Sequence, residues 1–128
     1  MKDALFKLLD QCETKQLAYI FQTYMKSIGV KKRDNRRKNN VNTYSIHGDC
    51  ERWNRVECYY HKDSSEYSKV DLDITLRKRA GYYLIIGRKD KRAFERSYDS
   101  IVYYDEKLLN EIVKDHKPLF DMLASVVH

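Results

Sequence analysis

Glu57, His47, His61, Arg55 and Arg77 are the side chains in this sequence best suited to proton transfer at a phosphodiester. Metal-independent cleavage of RNA needs a base for the 2′-hydroxyl, an acid for the leaving oxygen and cations on the phosphate. Glu57 with His47 or His61 would supply the acid and base, and Arg77 or Arg55 the cation. No ordered motif joins these residues. A catalytic role is therefore an analogy, at the level of fold, with small ribonucleases built from helices on a sheet.

Charge points to a different chemistry. Lys31, Lys32, Arg33, Arg36, Arg37 and Lys38 are opposed only by Asp34, so five of the chain's six net positive charges fall within eight residues. The remainder is nearly neutral. Such a pattern suits a segment that meets a polyanion better than it suits a wholly cationic surface. A second cluster, Arg88, Lys89, Lys91 and Arg92, lies where a strand is expected to end, and a solvated turn is its plain reading.

Other constellations carry less. His47-x2-Cys50 and Cys58-x2-His61 contain zinc-type ligands, but strand alternation sends Cys58 and His61 to opposite faces, and no Cys-x2-Cys knuckle is present. Asp71 and Asp73 share a strand face, as ligands of a divalent ion can, yet Lys69, Arg55 and Arg77 would oppose a cation there. The sequence has neither a Gly-rich phosphate loop nor a Gly-x-Ser-x-Gly elbow. No metal and no cofactor are expected. Trp53, the single tryptophan, is expected to pack on its own hairpin, and His116 to cap a helix end.

The elements that must position these groups follow from hydrophobic periodicity. Residues 3–28 read as helix, with one apolar stripe through Leu5, Leu8, Leu9 and Cys12 and another through Leu17, Ile20, Phe21, Tyr24 and Ile28. The stripes change phase near Thr14, which implies a kink or a second start, and Gly29 suits the stop. Residues 29–42 lack apolar periodicity and read as a solvated basic loop. Strands are expected at Thr43–His47 and Arg55–His61, then at Val70–Arg77 and Tyr82–Gly87 around the turn RKRAG. Ala93–Tyr98 reads as a helical turn and Ser100–Tyr104 as a short fifth strand. Asp105 suits an N-cap for a C-terminal helix, which Pro118 must kink or restart.

Residues 1–128 thus form one α+β domain, with N-terminal and C-terminal helices packed on one face of a four- or five-stranded antiparallel sheet. If Tyr44, Val56, Cys58, Tyr60, Leu72 and Ile74 face the helices, pleating turns another set to the open face. That set is Ser45, His47, Arg55, Glu57, Tyr59, His61, Lys69, Asp71, Asp73, Thr75 and Arg77. Tyr59 could stack on unpaired bases while Arg55, Arg77 and the 31–38 segment hold phosphates.

The leading expectation is a small non-enzymatic module, regulatory or accessory, that binds RNA or DNA by charge. Two alternatives are an inhibitor or adaptor docking an acidic protein, and the ribonuclease. No run is apolar enough to span a bilayer, and MKDALFKLLDQCETK lacks a signal-peptide pattern. Three cysteines, an odd number, suit free thiols in a reducing compartment. The cytoplasm is the expected location.

Overall fold

The computed structural model describes residues 2–79, 81–98 and 100–126. Ala80, in the expected RKRAG turn, lies outside them. Two helices, α1 (Lys2–Gln11) and α2 (Thr14–Ser27), open the chain. The phase change near Thr14 is a true second start. Glu13 caps α2 in a reciprocal capping box, its amide donating to Gln16 Oε1 at 2.9 Å. Gly29, at φ +79°, ends it in the left-handed region.

Seven strands follow: β1 (Lys31–Lys32), β2 (Thr43–His47), β3 (Arg55–His61), β4 (Leu72–Arg77), β5 (Tyr83–Arg88), β6 (Lys91–Ser97) and β7 (Ser100–Tyr104). Their order in the sheet is their order in the chain, and every pairing is antiparallel except β1 with β2. Helices α3 (Glu106–Asp115) and α4 (Lys117–Val126) close the domain. Asp105 caps α3 by accepting from the Leu108 amide at 3.0 Å, and Pro118 sits in the first turn of a new helix.

The α+β architecture agrees with the sequence, but the sheet is larger and mixed rather than a four- or five-stranded antiparallel one. Two strands account for the difference. Lys31 and Lys32, expected in a loop, pair in parallel with Thr43 and Tyr44, and the Arg33 amide extends the pairing to the Tyr44 carbonyl at 2.6 Å. Residues 91–97, part of which reads as a helical turn, form β6. The β5–β6 connection turns at Lys89 and Asp90, both at positive φ, the geometry of a tight hairpin without its usual Asn-Gly. A register shift at Ile86/Gly87 then breaks simple alternation, so that Ala93 and Phe94 are both buried.

The core lies between the helices and one sheet face. Leu9, Leu17, Phe21 and Met25 of α1 and α2, and Leu109, Ile112, Leu119 and Leu123 of α3 and α4, pack on Val56, Cys58, Ile74, Leu76, Leu84 and Ile86. The other face presents cross-strand rows fixed by register. One runs Ser45, Tyr59, Asp73, Gly87; the next His47, Glu57, Thr75, Ile85, Glu95, Tyr103; the last Arg55, Arg77, Tyr83, Ser97.

Two residues expected on that face are elsewhere, because β4 begins at Leu72 rather than Val70. Lys69 belongs to a single 3₁₀ turn, Tyr67–Lys69. Asp71 is buried toward the helices, 3.5 Å from both His116 Nε2 and Arg88 Nε. His116 is more than a helix cap: its Nδ1 meets the Tyr24 hydroxyl at 2.8 Å inside the core.

Candidate nucleic-acid interface

The open face divides into three zones. At the end near Thr43 and His61, the 62–69 connection folds back as a roof. Tyr67 meets the rings of His47, Tyr59 and His61 with centroids 5.2–5.7 Å apart. Arg33 fixes this roof by donating to the Ser65 carbonyl at 2.9 Å and laying its guanidinium over Tyr67. His61 is fully buried beneath it, bonded through Nε2 to Ser45 Oγ at 3.1 Å. Burial, with help from the Arg33 and His47 charges, lowers its pKa to about 4. His61 is therefore a neutral structural imidazole. Glu57, the proposed base, lies four residues along the same strand.

Carboxylates hold the middle zone. Glu57 accepts from Arg55 at 2.9 Å and from the Tyr59 hydroxyl at 3.3 Å. Asp73 accepts from Thr75 at 2.9 Å, and Glu95 is paired with Arg92. Burial, reinforced by the neighbouring Glu57, raises the Asp73 pKa to about 6. Tyr59 is held protonated by burial and by the Asp73 and Glu57 charges. Tyr59 is thus boxed between rings and carboxylates instead of standing free as a stacking platform. His47 lies opposite Glu57 in register and bonds the Tyr67 hydroxyl through Nε2 at 2.9 Å.

Basic groups collect in the third zone, at the opposite end of the strands, and here two loops do the positioning. Gly48, at φ +115°, brings the chain so close to β3 that a Cβ would lie 2.5 Å from the Arg55 carbonyl oxygen. Only glycine fits that approach. Asp49 then caps a tight turn, its carboxylate accepting from the Glu51 and Arg52 amides at 3.1 and 2.7 Å. Asn54 accepts from Thr14 Oγ1 at 2.7 Å, and its carbonyl accepts the Lys78 amide of the next loop at 3.0 Å.

Held this way, Arg52, Trp53, Arg55, Arg77 and Arg79 line one cleft of about 420 Å³. Arg55 and Arg77 are direct cross-strand neighbours. Arg77 lies over the Tyr83 ring at 5.5 Å, Arg52 over Trp53 at 5.4 Å, and Arg79 donates to the Arg52 carbonyl. Rings and a carbonyl orient these three guanidiniums without neutralising them. Of the four cleft arginines, only Arg55 has a carboxylate partner among the described residues, Glu57. Trp53, expected to pack on its own hairpin, is 53% exposed.

In comparisons with known proteins, the chain matches no family model, no curated protein and no solved structure. The site must be read from its own chemistry.

The other basic residues fall into two groups. Lys31, Lys32, Arg36, Arg37 and Lys38 are exposed at the β1 edge, the last three in the loop before β2. Arg88 is engaged by Asp71 and Asp115, and Lys89 lies near Asp63 and Asp71, so both serve the fold. Lys91 and Arg92 are exposed beside them. No group of three or more His, Cys, Asp or Glu among the described residues is placed to hold a metal ion. The Cys58-x2-His61 half of the zinc-like pattern is itself split, with Cys58 in the core and His61 under the roof. Among the described residues, no helix is long and apolar enough to cross a membrane.

Sequence reasoning misses Arg52 and Arg79, and places Trp53 against its hairpin rather than in a site. The signal for them was the pair of short texts ERWNR and RKR at the ends of neighbouring strands, which register brings side by side.

Proposed function

We propose that this chain is a small non-enzymatic module that binds nucleic acid through positive charge at the two ends of its open sheet face. The arginine cleft carries the reading: three guanidiniums are held in place by partners that leave their charge intact. Two arginines directly opposite on adjacent strands repel one another, and a phosphate between them would turn that cost into two charge-assisted hydrogen bonds. The exposed 31–38 segment adds cations about 20 Å away, the run of six residues from Arg55 to His61. A flexible polyanion can reach both ends. The acidic middle of the face argues against binding by a broad central platform.

Labelled single-stranded RNA and a duplex DNA control, titrated with protein in EDTA over a range of salt, test the reading. Affinity should fall linearly in a log–log plot, and R36Q/R37Q/K38Q should reduce the slope by about 2, at roughly 0.7 per single-strand phosphate contact. Protein that binds neither polymer at low salt refutes it and favours docking on an acidic protein. Cleaved RNA in the same EDTA samples, lost in E57Q, would instead support the ribonuclease, for which the His47–Glu57 juxtaposition is the relevant geometry.

A further inference from the structure

Resting on that reading, we infer that the Arg52–Trp53–Arg55–Arg77–Arg79 cleft is a site for one unpaired nucleotide, its base stacked on Trp53 and its phosphate held by the arginines. The cleft should therefore distinguish single strands from duplexes.

Three observations converge on this. The volume of about 420 Å³ lies within the roughly 300–1,000 Å³ of small-ligand clefts. Its lining combines one large exposed π-surface with four guanidiniums and, among the described residues, no acidic side chain. That set matches the two faces of a nucleotide, one flat and apolar, the other anionic. The walls are also built in advance: Asp49, Asn54 and Gly48 fix the loop that carries Arg52 and Trp53, and the Asn54–Lys78 bond ties it to the loop carrying Arg79. A preformed cleft spends little binding energy on ordering its own side chains.

Single-strand selectivity follows from stacking. In a duplex both faces of a base are covered by its neighbours, and an indole cannot reach them without breaking the stack. An unpaired base offers its face at no such cost. Phosphate contacts alone would not discriminate the two forms.

Trp53 is the chain's single tryptophan, so its fluorescence reports on the site directly. Adenosine 5′-monophosphate should quench it saturably, while adenosine and inorganic phosphate at the same concentration should do so far less, since each supplies half of the contacts. In a second measurement, W53A should bind a labelled 12-nucleotide single-stranded RNA about tenfold more weakly than the unaltered protein, from the loss of one stacked base. Its affinity for a duplex of the same length should be unchanged. Circular dichroism would establish that W53A, altered at an exposed position, keeps its fold.

The inference is overturned if the nucleotide leaves Trp53 fluorescence unchanged, or if W53A binds single strands as the unaltered protein does. In either case salt-sensitive RNA binding by the unaltered protein would leave the broader reading standing. Absence of that binding would remove both.

Discussion

Asp73→Asn should make this protein more stable, and only above pH 4. The Asp73 carboxylate lies on the open face between Tyr59 and Gly87, close enough to Glu57 to feel its charge, and its pKa is raised from the ordinary 3.8 to about 6. The folded state therefore holds this proton more tightly than the unfolded chain does. Below about pH 4 both states are protonated and the group costs nothing. As pH rises through 4 to 6, the unfolded chain ionises first and the fold loses stability, by about 3 kcal/mol once both are charged. Asparagine has no proton to lose, and its carbonyl can still accept from Thr75 Oγ1. Urea melts of both proteins at half-unit steps from pH 4 to pH 8 give the difference directly, with other titrations cancelling. The curves should meet near pH 4 and separate to about 2–3 kcal/mol by pH 8, equivalent to roughly 10 °C in Tm for a chain of this size. A difference that is flat with pH, or an Asn variant less stable at pH 8, would refute the argument.

Three further outcomes test other parts of the fold. Tyr67→Ala should unroof His61 and move its NMR titration from about 4 toward the ordinary 6.5, weakening the stability loss that the buried neutral imidazole imposes as pH falls through that window. Asp71→Asn should cost about 3 kcal/mol in urea unfolding at pH 7, since Arg88 loses a buried counter-charge and His116 loses its carboxylate neighbour. Burial opposes ionisation of Asp71, but His116 and Arg88 outweigh it and lower its pKa, so the penalty should shrink as pH falls below about 4. Gly87→Ala should destabilise by about 2 kcal/mol in the same assay, because its Cβ would meet the Lys91 carbonyl oxygen at 2.8 Å beside the β5–β6 register shift.

Much of the fold was legible from alternation. Strands β2, β3 and β4 carry apolar residues at alternate positions on the helix-facing side, β5 is a short apolar run, and the α1–α2 break shows as a change in stripe phase. What escaped was hidden for physical reasons. β6 lies behind a turn of Lys89 and Asp90, residues without the usual turn signature, and its pattern is broken by a bulge. β1 is two exposed lysines whose strand identity comes wholly from pairing with β2. The cleft was harder still. A scan for contiguous charge finds 31–38 at once, whereas Arg52, Arg55, Arg77 and Arg79 are spread over two loops and two strands. They become neighbours only once the Arg55–Arg77 register is known. Tyr59 shows the converse: its place on the open face was correctly read, but the roof over it comes from a loop whose fold no periodicity announces.

The strictly sequential strand order has a consequence for how the chain reaches this structure. Every sheet pairing joins consecutive strands, so each can close over a short loop at small entropic cost, and zippering can begin at several hairpins independently. The helices do not share this economy. The bond between Tyr24 and His116 spans 92 residues, and α2 packs on α4 across the whole length of the sheet sequence. Docking of the chain's two helical ends is thus the one step that bears the cost of a long closure, and it turns a set of local ribbons into a cooperative domain.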